Sequence, residues 1–144
     1  MNRTRGIVAL SLAGMAAMAA VSLLQTGIVR HLPDPPLPGF DSDRVNRSPI
    51  AYPLGIPDGT LSLASLALNV PAAAALGRRP RRWLATALAA KTAVEAAIAA
   101  WYAWQMPARE RAWCGYCLVG AAAAGGIAAL AIREARDTTA GADA

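Results

Sequence analysis

The sequence predicts an all-α integral membrane protein, a four-transmembrane-helix bundle with an outward-facing proline-rich loop between its first two helices. Three observations carry this expectation. Four long runs are nearly free of charge, arginine clusters close them on one side, and Pro33, Pro35, Pro36, Pro38, Pro49, Pro53 and Pro57 crowd between residues 30 and 58. Hydrophobic residues make up 56% of the chain, and the runs are apolar on every face. A soluble helix would show a single apolar stripe. The formal charge of +5 therefore concerns membrane orientation first, and no basic patch interleaved with aromatics points to nucleic acid.

Taken in order, Arg3 and Arg5 precede an uncharged run from Gly6 to Val29. A cleaved leader with Ala17-Met18-Ala19 as its processing site is the competing reading. The run continues through Val21, Leu23, Leu24, Ile28 and Val29, long enough to cross a hydrocarbon core of about 30 Å, which favours a retained span. Residues 30 to 58 carry too much proline for one continuous helix. A short helical turn starting after Asp41 or Ser42 and closed by Ser48-Pro49 fits there. Val45, Ile50, Tyr52, Leu54 and Ile56 are more apolar than a linker needs, so the loop is expected to pack over the end of the bundle. The second span covers 59–76 with an interruption at Pro71, the third 83–106 and the fourth 114–132. Residues 1–137 then form one domain, and 138–144 form a small, polar, disordered tail.

Arginine placement orients the spans. Arg3, Arg5, Arg78, Arg79, Arg81, Arg82, Arg133 and Arg136 fall on one side. On the other, Arg30, Arg44, Arg47, Arg109 and Arg111 are offset by Asp34, Asp41, Asp43, Asp58 and Glu110. The positive-inside rule places both termini in the cytoplasm, and the loop and Cys114 outside, in the periplasm of a bacterial inner membrane. That compartment permits disulfides.

The only two cysteines form Cys114-Gly115-Tyr116-Cys117, where a polar turn becomes an apolar run. At the start of a helix this spacing brings the sulfurs together, and the helix dipole favours a thiolate on the first. The competing readings are inert packing and half of a metal site. Zinc usually takes four ligands, and only His31 offers a comparably soft one here, so no metal is expected. Thiol redox chemistry is the reading these residues favour.

Val45-Asn46-Arg47-Ser48-Pro49-Ile50-Ala51-Tyr52-Pro53-Leu54-Gly55-Ile56-Pro57-Asp58 resembles the loop and second-helix start of bacterial members of the vitamin K epoxide reductase family. Trp113-Cys114-Gly115-Tyr116-Cys117-Leu118 resembles that family's active-site motif. The resemblance covers roughly residues 6 to 132. It implies a bundle enclosing a non-covalently bound quinone of the ubiquinone or menaquinone kind, with the C-x-x-C passing electrons to it from protein thiols in disulfide-bond formation. Cys117 would face the quinone and Cys114 would exchange with an incoming thiol. Asp58 would stand near a quinone oxygen, and Ser48 would sit in the loop over the pocket. The family's additional loop cysteine pair is absent, with Ser42 and the region of Asp34 at about those positions, and Ala121 stands where vertebrate members have a tyrosine. A thioredoxin-like or other thiol protein would therefore act in trans, from the outer side, directly on a Cys114 reachable from water, with Cys117 shielded.

Lys91 and Glu95 lie inside the third span, four residues apart and so on one helix face. They fit a structural ion pair or a proton path. His31 fits a surface role, or a proton acceptor for a thiol. In the fourth span Gly120, Ala121, Ala124, Gly125 and Ala128 let helices approach closely. The alternatives to an oxidoreductase are a non-catalytic scaffold of the same fold and a small-molecule carrier using Lys91 and Glu95.

Overall fold

In the computed structural model, which describes residues 2–140, four helices are long and apolar enough to cross a membrane: α1 (Arg3–Gln25), α3 (Asp58–Arg78), α4 (Arg82–Gln105) and α5 (Gly115–Ala140). A short α2 (Ser42–Arg47) lies in the proline-rich loop. Both chain ends and the α3–α4 turn share one end of the bundle; the loop, α2 and the α4–α5 turn share the other. Apolar side chains such as Leu12, Leu68, Val94, Ile98 and Trp104 stay exposed on the outside, the surface that hydrocarbon chains cover.

The Asn2 side chain accepts from Thr4 N–H and caps α1. The helix stops at Gln25, short of the expected Val29, because Gly27 takes a φ of +78° and the Ile28 and Val29 amides turn back to Leu23 O. Pro71 does not interrupt α3. Its ring lies on the exposed side, while Leu66, Ala73 and Leu76 hold both flanks of the helix in the core. One missing backbone bond is a smaller loss than that packing.

Beyond the expected Ile132, α5 continues to Ala140. Arg3 pairs with Asp137 and lies 3.8 Å from Glu134, and Thr138 and Thr139 bond back to Glu134 O and Ala135 O. Residues 138–140 of the expected tail are therefore helical, and 141–144 lie outside the described residues.

Helix α1 is central. Both α3 and α5 pack along it, α4 packs on α5, and α3 and α4 meet only sparsely. Around Ile7, Val21, Leu76 and Ile127 the core is sealed from solvent. Small residues permit the close approaches: a side chain at Gly14 would meet Leu66 and Ala123 at 3.0 and 3.2 Å. Gly120, Ala124 and Ala128 are buried as expected of packing positions, whereas Gly125 faces open space.

The loop folds back over the bundle end, as its apolar residues suggest. Asp41 accepts from Arg44 N–H and caps α2, and Ser48 closes it. Asp34 receives both the Ser42 hydroxyl (2.5 Å) and the Ser42 amide (2.9 Å). Phe40 forms a β-bridge with Trp113, with Trp113 N–H donating to Gly39 O at 2.7 Å and Asp41 N–H to Trp113 O at 3.0 Å. His31 is exposed and paired with Asp43 at 2.6 Å, and that carboxylate raises its pKa; its partner is a loop carboxylate and not a thiol.

Candidate redox site

Three features of the sequence place the two cysteines. Pro107 lacks an amide, so the end of α4 widens into a π-turn, Met106–Glu110. Arg111 then adopts a φ of +51° and turns the chain towards Trp113. The Trp113 bridge to the loop fixes Cys114 at the residue before α5, where the Cys114 carbonyl accepts from Leu118 N–H at 3.0 Å. Cys117, three residues on, returns its amide to Cys114 Sγ at 3.2 Å. The sulfur thus occupies the position of a helix-capping oxygen, where a negative charge is favoured.

Asn46 of α2 bridges the two thiols. Its Nδ2 donates to Cys114 Sγ at 3.2 Å, and Cys117 Sγ donates to its Oδ1 at 3.4 Å. The Cys114 pKa is lowered to about 7, chiefly by the hydrogen bond from the Cys117 side chain, with further lowering by Ser42, the Cys117 amide and Asn46; burial opposes them. In the reduced pair the charge therefore belongs on Cys114 and the proton on Cys117. Both cysteines are free thiols in this structure.

Cys114 is not reachable from water as expected: it is 0% exposed, covered by Val45 and Asn46 of α2 and by Met106. Cys117 is only half-buried and lines a cavity of about 40 Å³, shared with Asn46, Asp58, Tyr102, Gln105 and Met106. Their accessibilities are the reverse of the expected order, because the loop crosses over the first turn of α5 and leaves the next turn facing inward.

Asp58 lines this cavity. Gln25, at the end of α1, orients it by donating Nε2 to Asp58 Oδ1 at 2.6 Å and accepting from Gly59 N–H at 3.0 Å. Only glycine fits at 59, since a side chain there would lie 2.8 Å from Val21 and 3.1 Å from the Ser22 backbone. Ser48 does not reach the cavity: it is buried and its hydroxyl donates to Val45 O at 2.9 Å, while Ile50 and Ala51 form the lid. Asn46, Gln25 and Tyr102 escape sequence reasoning. Asn46 had one signal, its place one turn after Ser42 on the short helix.

Lys91 and Glu95 do pair, at 2.5 Å, but two helical turns below the cavity and outside its lining. Among the described residues no group of three or more metal-ligating side chains is found.

The comparisons agree with this geometry. The vitamin K epoxide reductase family matches residues 6–132, most of the chain and all of the described site. No curated protein and no solved structure matches. With that match over most of the chain and four membrane-length helices, the chain belongs to the vitamin K epoxide reductase family of membrane oxidoreductases.

Proposed function

We propose that the protein passes electrons from a partner's thiols, through Cys114 and Cys117, to a quinone held beside Cys117. The observation that carries this reading is the asymmetry of the pair. One sulfur is buried beneath α2, accepting from Asn46 Nδ2 and the Cys117 amide, and the other donates to Asn46 Oδ1 from the wall of a largely apolar cavity that also presents Asp58.

The cavity tests the fit. Its lining suits a flat, apolar molecule with polar ends: Tyr102, Gln105 and Asp58 offer hydrogen bonds among apolar walls. At about 40 Å³ it is smaller than the ~150 Å³ that accommodates a benzene ring, so its walls must part to admit a quinone ring. When bound, a quinone supplies an acceptor of two electrons and two protons.

In the reductive half-reaction a partner thiolate attacks the Cys114–Cys117 disulfide at Cys114 after the loop that carries α2 lifts. The partner's second thiol then displaces Cys114, and the partner leaves oxidised. In the oxidative half-reaction the Cys114 thiolate closes onto Cys117 Sγ and reforms the disulfide. Two electrons leave through the sulfur that lines the cavity; Cys117 brings one proton, and the second, lost to water when the Cys114 thiolate forms, is taken back from water. Asn46 holds both sulfurs during the exchange, and Asp58, steadied by Gln25, faces a quinone oxygen. The partner is a thioredoxin-like or other thiol protein acting in trans. The arginine distribution supports an orientation with the loop end outside a bacterial inner membrane and both termini in the cytoplasm.

Sealed vesicles test chemistry and orientation together. A membrane-impermeant dithiol presented to the loop side is expected to yield one quinol per dithiol oxidised, and the same dithiol on the terminal side none. Quinol formation from the terminal side alone would reverse the orientation; none from either side would defeat the reading.

A further inference from the structure

Halfway along α3 and α4 lies a closed polar network that the redox site does not use. Lys91 Nζ donates to Ser65 O (2.9 Å), Asn69 Oδ1 (2.8 Å) and Glu95 Oε1 (2.5 Å). Glu95 accepts in turn from the Ser65 hydroxyl and from Asn69 Nδ2 (3.2 Å). Asn69 is fully buried, and Lys91 and Glu95 are half-buried. Ionised groups at this depth are costly, so a retained pair calls for a role.

A proton path at the redox site is not that role, because neither Lys91 nor Glu95 lines the cavity. Position points elsewhere. Glu95 lies seven residues before Tyr102 on α4, and Ser65 lies seven after Asp58 on α3. Seven residues are nearly two turns, so each pair shares a helix face about 10.5 Å apart along the axis. The two helices that carry Asp58 and Tyr102 to the cavity otherwise meet only sparsely over their whole length, beside the extensive packing of α1 on α3 and α4 on α5. Resting on the quinone reading above, we propose that Ser65, Asn69, Lys91 and Glu95 form a strut that fixes α3 against α4. Lys91 and Glu95 are then positioning residues: they set the spacing of Asp58 and Tyr102 across the quinone site and form the fixed point about which the loop ends of the two helices part to admit the ring.

The thiols belong to α5 and its leading turn, and their bridging amide to α2, so the strut acts on the oxidative half-reaction alone. The test variant is Lys91→Met with Glu95→Met, which removes both charges together and leaves neither unpaired in the membrane. Reduction of its Cys114–Cys117 disulfide by a soluble dithiol, measured without quinone, is expected to match wild type. Its KM for quinone is expected to rise at least about tenfold. Lys91→Arg, which keeps a cation and its donors at the seam, is expected to stay near the wild-type KM. An unchanged KM in the double variant overturns the proposal. So does an equal loss in both half-reactions, which marks a fold-wide role, and so does Lys91→Arg matching the double variant. Wild-type protein that fails to reduce quinone defeats the underlying reading instead, and is seen before any variant is made.

Discussion

In a Cys117→Ala variant, quinone-linked turnover is expected to fall by at least about a thousandfold, and the Cys114 thiolate, attacking the disulfide form of its partner, is expected to accumulate as a mixed disulfide because this chain keeps no second thiol to displace that partner. The remaining sulfur keeps the bonds from the backbone amide at position 117 and from Asn46, so it stays a competent nucleophile without a resolving partner. Because Cys114 is buried against α2, whose leading segment is bridged to Trp113, adduct formation is paced by the release of that bridge. The reciprocal Cys114→Ala variant loses turnover equally but traps little, since Cys117 opens on the cavity. Non-reducing electrophoresis followed by mass identification of the adduct checks both. Adduct on Cys114→Ala alone would exchange the roles of the two sulfurs.

Asn46→Leu is expected to shift the pH dependence of Cys114 alkylation upward. In the native site Cys114 is mostly thiolate above about pH 7 and is protonated as pH falls through that value. The substitution removes the Nδ2 donor to the thiolate and the acceptor for Cys117, moving the midpoint towards the ordinary thiol value of about 8.5 and slowing alkylation at pH 7 about fivefold. Asn46→Asp, which sets a second negative charge beside the sulfur, is expected to move it further in the same direction. Alkylation rates against pH, with Cys114 and Cys117 resolved by peptide mapping, give the answer; an unmoved midpoint would remove Asn46 from the site.

The spans were legible because all-round apolarity is a local property of the chain, and so were the α2 turn after Asp41 and the C-x-x-C. Boundaries were less so. The end of α1 depends on the backbone of Gly27, the continuity of α3 through Pro71 on its flanks being buried, and the extra length of α5 on Arg3, more than 130 residues away in sequence. In the site, Asp58 was legible through its resemblance, but the Gln25 that orients it was not. Cys114 read as accessible because it follows a polar turn; its cover comes from α2, 68 residues earlier at Asn46. A hydroxyl such as Ser48 looks available in a sequence and is consumed here by Val45 O, whereas Asn46 looks like a turn residue and joins both sulfurs. The four-residue spacing announced the Lys91–Glu95 pair, but Ser65 and Asn69 across the seam carry no pattern that ties them to it.

Thiol trapping of the protein in its membrane tests the central claim most directly. With quinone supplied, Cys114 and Cys117 are predicted to be recovered as a disulfide, and with quinone withheld and the thiol partner present, as a dithiol. A pair locked in one state under both conditions would contradict electron transfer through these cysteines.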